Sequence, residues 1–143
     1  MTIAECSNRY YNALETLGDE INRILEELCP QIEQWQRDRL YHGFYTNGEP
    51  IVPPYTDFTI SIKASKGQET DRVTLLDTGA FYAGIFAKVE GDEILIDSTD
   101  SKSAKLKRKY GEDIFGLLPE EIAESNEITA DAMVKYVKNY VGL

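Results

Sequence analysis

The sequence predicts an α+β fold, with helices at both ends and one small, mainly antiparallel sheet between them. Three observations carry this. Leu14, Leu17, Ile21, Ile24, Leu28, Ile32 and Trp35 recur at spacings of three and four, the stripe of an amphipathic helix. "IFAKVEGDEILIDS" has two apolar-alternating arms about Gly91, the pattern of a β-hairpin. "TADAMVKYVKNYVGL" returns to helical spacing at the end of the chain. Helices and strands in separate runs, rather than in alternation, give α+β and not α/β.

The elements follow in order. Residues 3–43 read as one long helix with a kink or break at Pro30, which lacks an amide donor. Asn47-Gly48 marks a turn, and Pro50, Pro53 and Pro54 keep the next segment extended. Residues 55–67 fit either a strand, through Phe58, Ile60 and Ile62, or a helix turn ending at Gly67. From Val73 the chain reads as a strand that passes through Asp77-Thr78-Gly79 into a helix start, and the hairpin spans 84–98. Residues 102–110 form a short basic helix closed by Gly111. A short helix begins at Pro119, and the last helix has Thr129 as N-cap with Met133, Val137, Tyr140 and Val141 on its buried stripe. One domain is expected, a helical arm over 1–43 and an α+β body over 44–143.

The 143 residues are 42% hydrophobic and 28% charged, the composition of a globular chain able to bury a modest core. The longest apolar run, "FYAGIFA", is far below the roughly 18–20 residues of a membrane span, and no basic-then-apolar leader opens the chain. Synthesis in the cytoplasm is the expectation. Cys6 and Cys29 are too few for a disulfide framework or a thiolate metal site. The net charge of −10 opposes binding to free nucleic acid, and no recognition motif suggests sequence readout. The charge is also uneven. Lys102, Lys105, Lys107, Arg108 and Lys109 hold five of the fifteen basic residues, whereas residues 1–28 and 112–127 are acidic. Pairing between subunits and a solvated helix face both account for such a run.

"LLDTGA" (75–80) matches the apolar-apolar-Asp-Thr-Gly-Ala signature of retroviral-type aspartic proteases. Such an enzyme needs two carboxylates sharing a proton, so a short chain must dimerise to pair Asp77 with its copy. Ile114-Phe115-Gly116 resembles that family's second element. The surroundings do not fit. Only 39 positions separate Asp77 from Gly116, with one hairpin, a lysine-rich helix and no glycine-rich flap. Phe81-Tyr82 is bulky where the family carries small or acidic residues, and long terminal helices are foreign to an almost entirely β fold. The structural reading is simpler: Asp77 and Thr78 cap a helix start, Gly79 lets the chain turn, and Phe81 and Ile85 share a helical face toward the core.

A second resemblance covers about two-thirds of the chain. "DRLYHGFYTNGEPIVPPYTDFTISIKASKGQ" followed by "VTLLDTGAFYAGIFAKVEGDEILIDSTDSKSAKLKRKYGEDIFGL" resembles the small head–tail joining or tail-completion proteins of tailed bacteriophages, especially those of Bacteroides phages. The order of motifs carries it: Thr78-Gly79 with Ile85, then Lys109-Tyr110-Gly111, then Phe115-Gly116-Leu117. Where better-known members have Ser before the Ile, this chain has Gly84, and their Pro-Phe-rich end is absent. The resemblance implies a virion structural protein at the neck or tail end, without an active site, cofactor or metal. It implies self-assembly into a ring and contact with portal, adaptor or tail-tube proteins, with no membrane. An acidic ring would give DNA a passive channel. The candidate subunit interface is Lys102, Lys105, Lys107, Arg108 and Lys109, meeting a neighbour's acidic surface in a heterologous contact.

Other motifs carry less. His42, the only histidine, lies beside Gly43 at an expected helix end, where capping is its natural role. The carboxylates of 90–100 lack the order of an EF-hand, and "GEDIFG" and "NGEP" lack the glycines of a phosphate loop. The nine tyrosines, several in the terminal helices, suit an interface or a half-buried helix face.

Overall fold

The computed structural model describes residues 1–91 and 93–142. It is a mixed α+β fold, mostly helical, with a long N-terminal helix and a two-stranded antiparallel sheet. The chain divides into two compact units, Met1–Leu28 with Pro119–Leu143, and Cys29–Leu118. Among the described residues, no helix is long and apolar enough to cross a membrane.

Helix α1 (Ile3–His42) contributes to both units. Its start is a capping box: Thr2 N donates to Glu5 Oε2 at 2.7 Å and Glu5 N to Thr2 Oγ1 at 3.1 Å. Its end turns through Gly43, at φ 81°, with Gly43 N bonded to Leu40 O. The break anticipated at Pro30 does not occur, and the helix is continuous through it. Pro30 and Glu26 are both exposed, so the carbonyl that loses its amide partner faces water.

In the first unit α1 is accompanied by α5 (Pro119–Val141). This is one helix, not a short helix followed by a second capped at Thr129. The Thr129 hydroxyl donates instead to Ser125 O at 2.7 Å, and no Gly or Pro interrupts 120–141. Of the expected stripe, Val141 is buried, Met133 and Val137 are half-buried, and Tyr140 is exposed. Tyr136 OH and Thr16 Oγ1 lie 2.6 Å apart, and Ala13 is fully buried.

The second unit holds the rest of α1, α2 (Asp57–Ser65), α3 (Ala80–Ala83), β1 (Ile85–Glu90), β2 (Glu93–Ser98), α4 (Ser103–Tyr110) and a 3₁₀ turn (Glu112–Ile114). The stretch left open between strand and helix is a helix, started by Thr56, whose hydroxyl accepts from Thr59 N. The hairpin is as read from the sequence, with register Ile85↔Ser98 to Glu90↔Glu93. Leu40, Ile51, Val73, Leu75, Phe81, Ile85, Tyr110 and Ile114 form one core cluster. Phe81 and Ile85 share that core as expected, but Ile85 opens β1 and does not continue a helix.

The strand expected at Val73–Leu76 is absent. These residues are irregular, and Leu75 sits at φ 58°, a left-handed conformation that costs a leucine about 1–2 kcal/mol. Side chains replace the missing ladder. Tyr55 OH accepts from Thr74 N (3.0 Å) and Leu75 N (3.3 Å), while Tyr82 OH donates to Thr74 O.

Polar side chains of α1 fix the rest of this unit. Arg37 donates to Tyr82 O at 3.0 Å and Ile85 O at 3.1 Å, and Glu33 accepts from Ala87 N at 3.1 Å. Gln36, fully buried, pairs with both backbone groups of Gly116: Nε2 donates to its carbonyl at 2.6 Å and Oε1 accepts its amide at 3.1 Å. Arg39 donates to Gln36 Oε1 (2.8 Å), Gly116 O (3.2 Å) and Ile114 O (2.6 Å). The segment after the 3₁₀ turn is thus held to α1 by hydrogen bonds as well as by apolar packing.

Candidate functional site

Asp77 follows the side-chain-braced segment and precedes α3. It does not cap that helix. Gly79 holds the N-cap position at φ 91° with no side-chain bond, and Thr78 Oγ1 accepts from Ala80 N only at 3.4 Å. Asp77 is instead paired with Lys66 at 2.7 Å and stands 3.6 Å from Lys102. Its carboxyl titrates below the ordinary range, chiefly through the Lys66 hydrogen bond and charge, with Lys102 and Lys63 adding to the effect. With half of the side chain exposed, this pairing fixes geometry more than it stabilises. Lys63 Nζ donates to Leu76 O at 2.5 Å, and Gln68 Nε2 to Asp77 O at 2.6 Å, so the backbone on both sides of the 76–77 peptide is held from α2 and the loop after it.

Beside Asp77 is a cavity of about 190 Å³, walled by Leu75, Phe81 and Leu106 and edged by Lys63, Asp77 and Lys102. Asp100 also lines it, but Asp77 is committed to ion pairs with Lys66 and Lys102. An acid pair sharing one proton needs a second carboxylate free of ammonium partners. Among the described residues, no group of three His, Cys, Asp or Glu could hold a metal ion.

The five basic residues of 102–109 divide by helical position. Ser103, Leu106, Lys107 and Tyr110, at i, i+3, i+4 and i+7, form the inner face of α4, and Ser103 and Tyr110 are buried. Lys107 reaches Asp97 of β2 at 2.9 Å, and Ser103 Oγ donates to the same carboxylate at 2.6 Å. Burial pushes the Asp97 carboxyl up, but the hydrogen bonds from Ser103, Lys107 and Ser98 N outweigh it, and the net shift is downward. Lys102 faces Asp77. Lys105, Arg108 and Lys109, at i, i+3 and i+4, are exposed on the outer face, with no acidic partner among the described residues. Lys109 lies over the Tyr110 ring at 5.2 Å. Two of the five candidate interface residues are therefore engaged within the unit, and three form an outward cationic patch.

His42 stands in the last turn of α1 with Nδ1 2.7 Å from Asp38 O. Phe115-Gly116-Leu117 leads into no helix until Pro119, and its Gly116 is the group clasped by Gln36 and Arg39. Sequence reasoning passed over these two residues and over Lys63. The signal was available: polar residues at 36 and 39 continue the α1 stripe of Ile24, Leu28 and Ile32. No family model, curated protein or solved structure matches the chain.

Proposed function

We propose that this protein is a non-enzymatic structural component of a tailed-phage virion, a ring subunit at the head–tail junction or tail end. The observation that carries the reading is the outward triad Lys105, Arg108 and Lys109 on a chain of net charge −10. An unneutralised cationic face on an acidic protein is complementary to the acidic surface of another copy. Such a head-to-tail contact closes a ring when its rotation allows. The order of motifs from Thr78 to Leu117 supports the virion assignment, and an acidic lumen would let DNA pass without releasing counterions to bind it. Portal, adaptor or tail-tube proteins are the expected neighbours.

The aspartic protease is the competing reading, carried by "LLDTGA" alone. Asp77 held ionised by Lys66 and Lys102 favours the structural role, because a catalytic dyad needs one carboxyl kept protonated.

The test is charge reversal of Lys105, Arg108 and Lys109 to glutamate, with mass read by light scattering. Wild-type assemblies should be largest at low salt and shrink as salt rises, since exposed charge pairs are screened. The triple variant should lose the assembly that shrinks as salt rises. Assembly unchanged by the reversal would reject the contact.

A further inference from the structure

The N-terminal part of α1 carries a second pattern that the ring contact does not use. From Ile3 to Leu28 its residues fit a heptad repeat. Ile3, Tyr10, Leu17 and Ile24 occupy one core position, and Ser7, Leu14, Ile21 and Leu28 the other. Over residues 3–19 the positions flanking this seam are Ala4, Cys6, Tyr11, Ala13 and Gly18, all uncharged. Glu5, Arg9, Glu15 and Asp19 fall on the three remaining heptad positions. A charge-free face of this length is unusual in a chain that is 28% charged.

Within the first unit α5 covers only one flank of this face. Ala13 is fully buried there and Thr16 bonds Tyr136. The other flank is open: Ile3 is 91% exposed, Tyr11 64%, Tyr10 48% and Leu14 42%. Ile3, Cys6, Ser7 and Tyr10 stand at i, i+3, i+4 and i+7, the four-residue diamond that forms a hole in coiled-coil packing. Together with Tyr11, and with Val141 of α5 forming one wall, they line an open hollow of about 430 Å³.

The geometry points to α1 of a second copy as the occupant, packed knobs-into-holes along residues 3–18. Charge permits this occupant. Two molecules of net charge −10 repel, and this uncharged face is where they approach at least cost. Area agrees. The open portions of Ile3, Tyr10, Tyr11 and Leu14 amount to roughly 450 Å² per copy, or about 900 Å² in a symmetric pair, close to the ~1,000 Å² a specific interface needs before neighbouring small residues are counted. The contact goes beyond the ring reading and does not rest on it. It has the opposite salt dependence, because salt screens the overall repulsion and strengthens apolar pairing.

Sedimentation equilibrium from micromolar to submillimolar protein, at low and high salt, tests it in the full chain. The α4 charge-reversed variant serves as background, so that loss of the α1 contact and loss of the ring contact are read separately. Self-association that tightens with salt is expected. Leu14→Glu or Tyr10→Glu should weaken it about tenfold or more, while Asn12→Glu on the outward face leaves it unchanged. A monomer at every concentration, or association indifferent to Leu14→Glu, overturns the proposal. The wild type alone offers a second readout. Cys6 lines the hollow, so its rate of alkylation should fall as protein concentration rises, and a constant rate counts against the pairing.

Discussion

Replacing Gln36 by Met removes the amide while keeping a side chain of similar length and flexibility, so the change isolates hydrogen bonding from packing. Gln36 is fully buried, and its amide makes two contacts to Gly116 beyond its own helix and one to Arg39 within it. These go to Gly116 O at 2.6 Å, Gly116 N at 3.1 Å and Arg39 Nη2 at 2.8 Å. Gly116 O keeps a bond from Arg39 Nη1, and Arg39 Nη2 keeps Ile114 O, so each loses one partner of two. Gly116 N has no such reserve. One orphaned amide at about 1–3 kcal/mol, plus two weakened groups at about 0.5–1 each, gives a loss of roughly 2–5 kcal/mol. Against a typical total of about 5–15 kcal/mol this is a large fraction. It should lower the urea midpoint by about 1–3 M. Trp35, the only tryptophan, lies next to Gln36 and reports the transition by fluorescence. Gln34→Met is the control: Gln34 is exposed and, among the described residues, its side chain bonds only Asp38, so it should cost at most about 0.5 kcal/mol. A midpoint for Gln36→Met equal to that of Gln34→Met would refute the idea that Gly116 is held by this amide.

Gly84→Ser, which installs the residue usual in the resembled family, should destabilise by about 1–3 kcal/mol in thermal or urea unfolding. A Cβ there would lie 2.7 Å from Ser98 Oγ and Thr99 Oγ1 and 3.1 Å from the backbone Asp100 N, which cannot swing away; an unchanged midpoint would contradict the packing. The Asp97 carboxyl titrates lower in the folded chain than its ordinary value of 3.8, so its contribution is complete above that value and is lost as pH falls through the folded value. Asp97→Asn should therefore flatten the decline in urea midpoint below about pH 5, and a decline as steep as the wild type's would show the Ser103–Asp97–Lys107 cluster to be irrelevant.

How far the sequence reveals this fold depends on what satisfies each backbone group. The long helix, the hairpin and α4 were legible because local periodicity and a terminal glycine specify them. Val73–Leu76 was misread as a strand, since four mostly apolar residues fit a strand pattern while the hydroxyls of Tyr55 and Tyr82 that replace its ladder are invisible to pattern. Thr129 misled in the same way. A Thr before a helical run looks like an N-cap, yet inside a helix its hydroxyl bonds the carbonyl four residues back. Within the candidate site, the basic run was plain in composition but its division was not. Lys107 is drawn inward by Asp97 of β2, and only the helical arrangement leaves Lys105, Arg108 and Lys109 outside. Gln36 and Arg39 escaped because a search for apolar spacing skips polar residues that occupy the same face.

The central claim is that the chain acts by assembly and that Asp77 serves its ion pairs, not a peptide bond. The most direct measurement follows cleavage of a mixed peptide pool and assembled mass in parallel, for the wild type and Asp77→Asn, from acidic to neutral pH. The account predicts no cleavage by either protein and equal assembled mass at neutral pH. Cleavage by the wild type that vanishes in Asp77→Asn would contradict it.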